Sequence, residues 1–174
     1  MKMLTFLLAS LVVVPAFALP RPLQIKPGMS SPEISGGALA GGRAGTEFSL
    51  LTVRSELTAS GERLTLAYGD SRGLPLLAEP GFFHIVLDRD SKRVVVDLAQ
   101  VTRTAVDPAK LSRILSASKY VAHSEMVMDP HDGSTNITLT TRMPVQIKVT
   151  PQTGEGREPG RLYIDIKPAG RAAR

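Results

Sequence analysis

The sequence predicts an all-β protein: a sandwich of two similar antiparallel sheets with a pseudo-twofold internal repeat and one short connecting helix. Three features lead there. Between residues 46 and 168, apolar and polar residues alternate with period two over most of the chain, as in strands that turn one face inward. Stretches bearing Gly, Asp or Pro ("ASGE", "GDSRG", "DRDSK", "DPHDGS", "QTGEGREPG") separate these runs and supply the chemistry of chain reversals. Finally, Arg-apolar-apolar-apolar-Asp-apolar occurs twice, at Arg93 to Leu98 and again at Arg161 to Ile166.

Taken from the N-terminus, residues 1–18 read as a secretory signal. Lys2 gives a positive start, Leu4 to Val14 an apolar stretch, and Ala16-Phe17-Ala18 a small-x-small cleavage site. Its apolar run falls short of the roughly 20 residues that span a bilayer, so cleavage after Ala18 and a periplasmic location with no membrane span are expected. Residues 19–45 are rich in Pro, Gly and Ser without a sustained apolar period and read as a flexible tether. The folded domain is expected over 46–168, followed by a disordered tail at 169–174.

Within the domain, Leu64, Leu66 and Tyr68 share one phase, as do Phe83, Ile85 and Leu87, and then Val94, Val96 and Leu98. The second half repeats this with Ile137 and Leu139, Val145 to Val149, and Leu162 to Ile166. Between the halves, "DPAKLSRILSASK" at 107–119 breaks the pattern. Asp107 suits a cap and Pro108 the first helical position, while Leu111, Ile114 and Leu115 share a helical face. A sheet of three or four strands with one apolar face cannot hide that face alone; two similar sheets face to face can.

Charge and composition exclude several functions. Residues 46–168 hold 15 Lys or Arg against 15 Asp or Glu, so the excess of the whole chain lies at its ends. A nucleic-acid module concentrates charge on a folded face, so no nucleic-acid partner is expected. There is no Cys, hence no disulfide, lipid-modified cysteine or thiol nucleophile. His123, Asp129, His131 and Asp132 lie close in sequence but read as a strand entering a turn, so no metal is expected. With no Gly-x-Ser-x-Gly elbow and no phosphate loop, neither catalysis nor a cofactor is expected.

The motifs "TVRSEL", "GERLTLAY" and "RVVVDLAQV" in the first half, with "STNITL" and "RLYIDI" in the second, cover nearly all of residues 48–167. In them the chain resembles the AMIN domain, the envelope-targeting module of periplasmic N-acetylmuramoyl-L-alanine amidases and type IV pilus secretins, and is expected to be a stand-alone example. The resemblance implies a sandwich of two symmetrical sheets that binds peptidoglycan and does no chemistry. Two departures stand out. The second half reads Ala122-His123-Ser124-Glu125 where the first has Arg54, and Asn136 stands where an Arg often precedes the strand.

Candidate wall-binding residues are Arg54, Arg63, Arg93, Arg142 and Asn136. Stem peptides of peptidoglycan carry carboxylates, which a guanidinium matches in a planar, bidentate fashion. Asp97 and Asp165, each four residues beyond an outward Arg, read as partners of charges on neighbouring strands. The alternative reading is a protein-interaction module, docking on an envelope assembly such as an amidase, a secretin or the division machinery by adding a strand at a sheet edge.

Overall fold

The computed structural model describes residues 21–170 except 27, 46 and 130. The expected signal segment, residues 1–18, and residues 171–174 of the expected tail lie outside them. The elements, in order, are β1 (Leu23–Gln24), β2 (Gly37–Gly41), β3 (Phe48–Thr58), β4 (Gly61–Gly69), β5 (Phe83–Asp88), β6 (Arg93–Leu98), β7 (Val101–Thr104), α1 (Pro108–Leu115), β8 (Val121–Asp129), β9 (Ser134–Thr141), β10 (Val145–Gln152) and β11 (Arg161–Pro168).

They form an all-β sandwich. One sheet has six strands in the order β1-β2-β5-β6-β9-β8, the other five in the order β10-β11-β4-β3-β7. The halves of the repeat do not map one to a sheet. Each half supplies one hairpin to either layer: β5–β6 meets β9–β8 in the first, and β10–β11 meets β4–β3 in the second. Exchanging the halves converts one strand order into the other, which is the pseudo-twofold relation. The two Arg-apolar-apolar-apolar-Asp strands, β6 and β11, occupy equivalent inner positions, each pairing with a hairpin mate and with the other half. Pairing among the repeated hairpins is antiparallel. The two parallel ladders, β1–β2 and β3–β7, each involve a strand outside the repeat.

The inward phase of every repeated strand meets in one interior. Leu64, Leu66, Val94, Val96, Ile137, Leu139, Ile147, Leu162 and Ile164 are fully buried in a single cluster. At about 25 cal/mol per Å² of apolar surface removed from water, this shared core is what makes neither sheet viable alone. Glu62 sits in the same inward phase and is also buried. Its carboxylate accepts hydrogen bonds from Ser55 Oγ and, at 2.7 Å, from Ser118 Oγ. Ser118 Oγ in turn accepts from the Val121 amide at 2.8 Å, so Glu62 fastens the loop after α1 to the core.

Two non-repeated segments close the sides. On one, Asp107 caps α1 by accepting from Lys110 N at 2.6 Å, with Pro108 in the first turn. Leu111 and Leu115 are buried, and α1 packs against β8 and β3. The helix is shorter than the 107–119 stretch because Ser116 and Ser118 turn the chain back onto the Arg113 and Leu115 carbonyls. Among the described residues no helix is long and apolar enough to cross a membrane.

On the other side lies the segment expected to be a tether. Its described residues, 21–45, are part of the fold. β2 pairs antiparallel with β5, and Ile25, Ile34, Leu39 and Ala40 are buried. Between β1 and β2 the chain covers the outer edge of β10: Ile34 exchanges both backbone bonds with Ile147, each 2.9 Å, and Ser31 N donates to Val149 O at 2.7 Å. Two of the glycines that suggested flexibility, Gly41 and Gly42, serve close approach instead. Gly42 has φ +84°, and a Cβ there would fall 2.3 Å from Gly81 O, so only glycine fits.

Candidate functional site

Register converts the repeat into two outward faces that can be compared row by row. On the five-stranded sheet the cross-strand rows are Thr52–Ala67–Arg161–Gln152, Arg54–Thr65–Tyr163–Thr150 and Glu56–Arg63–Asp165–Lys148. On the six-stranded sheet the equivalent rows are His123–Thr140–Arg93–Asp88, Glu125–Thr138–Val95–Val86 and Val127–Asn136–Asp97–His84.

The first set contains a depression. Thr65 and Ala67 are small, while Arg54 on β3 and Arg161 and Tyr163 on β11 are large. Cross-strand side chains stand roughly 5 Å apart, so the small pair leaves a groove of about 330 Å³ between the large ones, also lined by Glu56 and Pro159. Arg54 is exposed and makes no ion pair among the described residues. Tyr163 is fixed by two contacts: its hydroxyl donates to Gln152 Oε1 at 2.6 Å, and the Arg63 guanidinium lies 5.0 Å from the ring centroid. Arg63 also grips Asp165 with two bonds, Nε to Oδ1 at 2.6 Å and Nη2 to Oδ2 at 3.0 Å. Arg161 pairs with Glu158, and Lys167 with Glu33 of the N-terminal segment.

The expected site residues therefore divide. Arg54 borders the groove and Arg63 braces its aromatic wall. Arg93 and Asn136 lie on the opposite face, in β6 and β9, and Arg142 is exposed just beyond β9, its amide donating to Tyr120 O at 2.8 Å. One face cannot gather all five, because the two halves are shared between layers. The residues that join Arg54 are Arg161 and Tyr163. Their signal in the sequence is phase: both alternate with Leu162 and Ile164, so both must point outward.

Asp97 and Asp165 are pseudo-equivalents with different fates. Asp165 lies between Arg63 and Lys148 and carries a bidentate ion pair. Asp97 lies between Asn136 and His84, and its Oδ1 is enclosed with no hydrogen-bond partner. Burial holds the Asp97 carboxyl above its ordinary pKa, opposed by the proximity of His84 and reinforced by Asp132. Asp129 and Asp132 accept from the amides of His131 and Ser134, at 2.8 and 2.9 Å, so these carboxylates shape the β8–β9 turn. Among the described residues no three His, Asp or Glu side chains converge as a metal set.

Charge also separates by layer. The repeated strands of the five-stranded sheet turn outward Arg54, Arg63, Lys148, Arg161 and Lys167 against Glu56 and Asp165. Those of the six-stranded sheet turn outward Arg93 against Asp88, Asp97, Glu125 and Asp129. The overall neutrality of the folded region hides one basic and one acidic surface. No protein-family model matches the chain, and no curated protein matches it either.

Proposed function

We propose that the protein is a non-catalytic, AMIN-like domain of the periplasm that binds peptidoglycan through the outer face of its five-stranded sheet. The observation that carries this is the groove in which an unpaired Arg54 faces Arg161 and Tyr163 across Thr65 and Ala67. The chemistry suits a wall fragment: guanidinium groups for the carboxylates of a stem peptide, a ring for the apolar face of a sugar, and threonine hydroxyls for its polar edge. The duplicated sandwich and the motifs shared with the AMIN family support the same reading. Such binding is weak for each site and screened by salt.

The test is co-sedimentation of the mature protein with purified sacculi at low and high salt. Wild type pellets at low salt, Arg54→Ala and Arg161→Ala lose most of that, and Arg142→Ala, away from the groove, retains it. Protein that stays wholly in the supernatant at low salt overturns the reading.

A second reading is favoured by one observation. Among the described residues β8 forms a ladder on one side only, with β9, and carries exposed Val127 and Met128. That edge could take a strand from an envelope protein. Cross-linking in intact cells separates the two readings, since a single protein partner that survives wall digestion favours docking.

A further inference from the structure

The six-stranded face holds an acceptor without its donor. Under the pseudo-twofold relation, Asn136 of β9 corresponds to Arg63 of β4, Asp97 of β6 to Asp165 of β11, and His84 of β5 to Lys148 of β10. The twin position shows how such a carboxylate is satisfied in this fold: a guanidinium from the neighbouring strand lies over it and donates two bonds. On the six-stranded face that side chain is shortened to an amide. The Asn136 amide nitrogen does not turn to Asp97; it donates instead to Ser134 Oγ, at 3.3 Å. Asp97 Oδ1 is left enclosed and unpartnered, a condition that is unfavourable for an ordinary polar group and more so for a charged one. The residue as a whole is partly exposed while Oδ1 itself is closed off from solvent, so an incoming donor reaches both oxygens only by turning the carboxylate outward.

The surroundings suit an apolar stem bearing a cationic head. Val127 lies opposite Asn136 and is exposed, and Phe82, also exposed, continues the outward phase of β5 beside His84. Asp132 adds negative charge near Asp97, and no Lys or Arg belongs to the row that contains it. Charge complementarity therefore selects a cation, and the twin site selects its geometry.

We propose that Asp97 and Asn136 form a receptor for an arginine side chain presented by a protein partner, its guanidinium taking the place that Arg63 occupies over Asp165. The occupant supplies from outside the bidentate donor that the second half of the repeat lacks. This site lies on the opposite layer from the wall-binding groove and does not depend on it.

The experiment is a backbone amide NMR titration of the full chain at low ionic strength with two blocked pentapeptides, Gly-Gly-Arg-Gly-Gly and Gly-Gly-Lys-Gly-Gly. The arginine peptide should shift the amides of residues 84, 97 and 136 with millimolar affinity, and the lysine peptide should bind at least threefold more weakly. Asp97→Asn, a near-isosteric change, should weaken the arginine peptide at least tenfold. Asn136→Arg should do the same by filling the site from within. Equal binding to Asp97→Asn, equal affinity for the lysine peptide, or no shift at these residues overturns the proposal.

Discussion

The two outward faces are built on the same plan and do opposite things. In both, an inner strand carries Arg, apolar, apolar, apolar, Asp, and in both the Asp faces a residue two places into the partner hairpin. On the five-stranded sheet that residue is Arg63, and the row becomes a closed ion pair beneath an aromatic ring. On the six-stranded sheet it is Asn136, and the row stays open and acidic. The difference teaches that a duplicated fold can keep its core under common constraint while its solvent faces diverge. Inward positions answer to each other across one interior. Outward positions answer only to cross-strand neighbours, so Val127, Asn136 and His84 in place of Glu56, Arg63 and Lys148 change the electrostatics of a whole row.

The largest expected effect tests the shared part of that comparison. Leu66 and Leu139 are pseudo-equivalent and fully buried. Leu66→Ala and Leu139→Ala should each cost about 2–5 kcal/mol, measured by urea unfolding. A cost below about 1 kcal/mol for either would show that the two layers do not contribute alike.

The sharper test is a reversal of sign between the twin aspartates. Asp165→Asn loses the bidentate pair and should destabilise by about 1 kcal/mol. Asp97→Asn should instead stabilise at pH 7, by about 0.5 kcal/mol. The pH dependence follows from the raised Asp97 pKa: the folded state holds its proton above the pH at which the unfolded chain releases it. The associated stability is therefore present in full below about pH 4 and is lost as pH rises through the folded value. The gain from Asp97→Asn should be largest near neutrality and vanish in acid. Destabilisation by Asp97→Asn at pH 7 would mean that Asp97 is satisfied.

A comparable contrast sits at the inward ends of β4 and β9. Thr141 Oγ1 donates to Met143 O at 2.8 Å, whereas the equivalent Tyr68 hydroxyl is fully buried without a partner. Tyr68→Phe should stabilise by about 0.5–1 kcal/mol at neutral pH. Burial, with a smaller contribution from Asp97, also raises the Tyr68 pKa well above that of a free phenol. Stability is thus full below about pH 10 and falls above it as the unfolded chain ionises first; Tyr68→Phe should flatten that alkaline limb. The smallest effect is expected from Asn136→Arg, a few tenths of a kcal/mol in favour of the fold at neutral pH.

Much of the fold was legible because period-two alternation marks any strand with one buried face, and β4, β5, β6, β9, β10 and β11 all show it. The N-terminal segment was not, because Gly41 and Gly42 read as freedom when their lack of a Cβ is what lets the end of β2 and its exit lie against Phe83 and Gly81. Matching by motif also misplaced a residue. "VRSEL" and "AHSEM" pair Arg54 with His123, yet register pairs Arg54 with Glu125. Two residues join Thr58 to Gly61 and four join Asp129 to Ser134, so the second hairpin is offset by two. That offset keeps every side chain on its face and changes who its neighbours are. Arg161 and Tyr163 were readable as outward but not as neighbours of Arg54, since β4 lies between them and contributes the small Thr65 and Ala67 that open the groove.

The seal that residues 30–41 place over β5 and β10 also bears on how short this molecule can be made. A protein trimmed to begin at residue 46 would keep every repeated strand and still be unfinished, with the amides and carbonyls of two strands bare along one flank. Each bare flank is a template for another chain, so the trimmed protein should polymerise where the longer one stays dispersed.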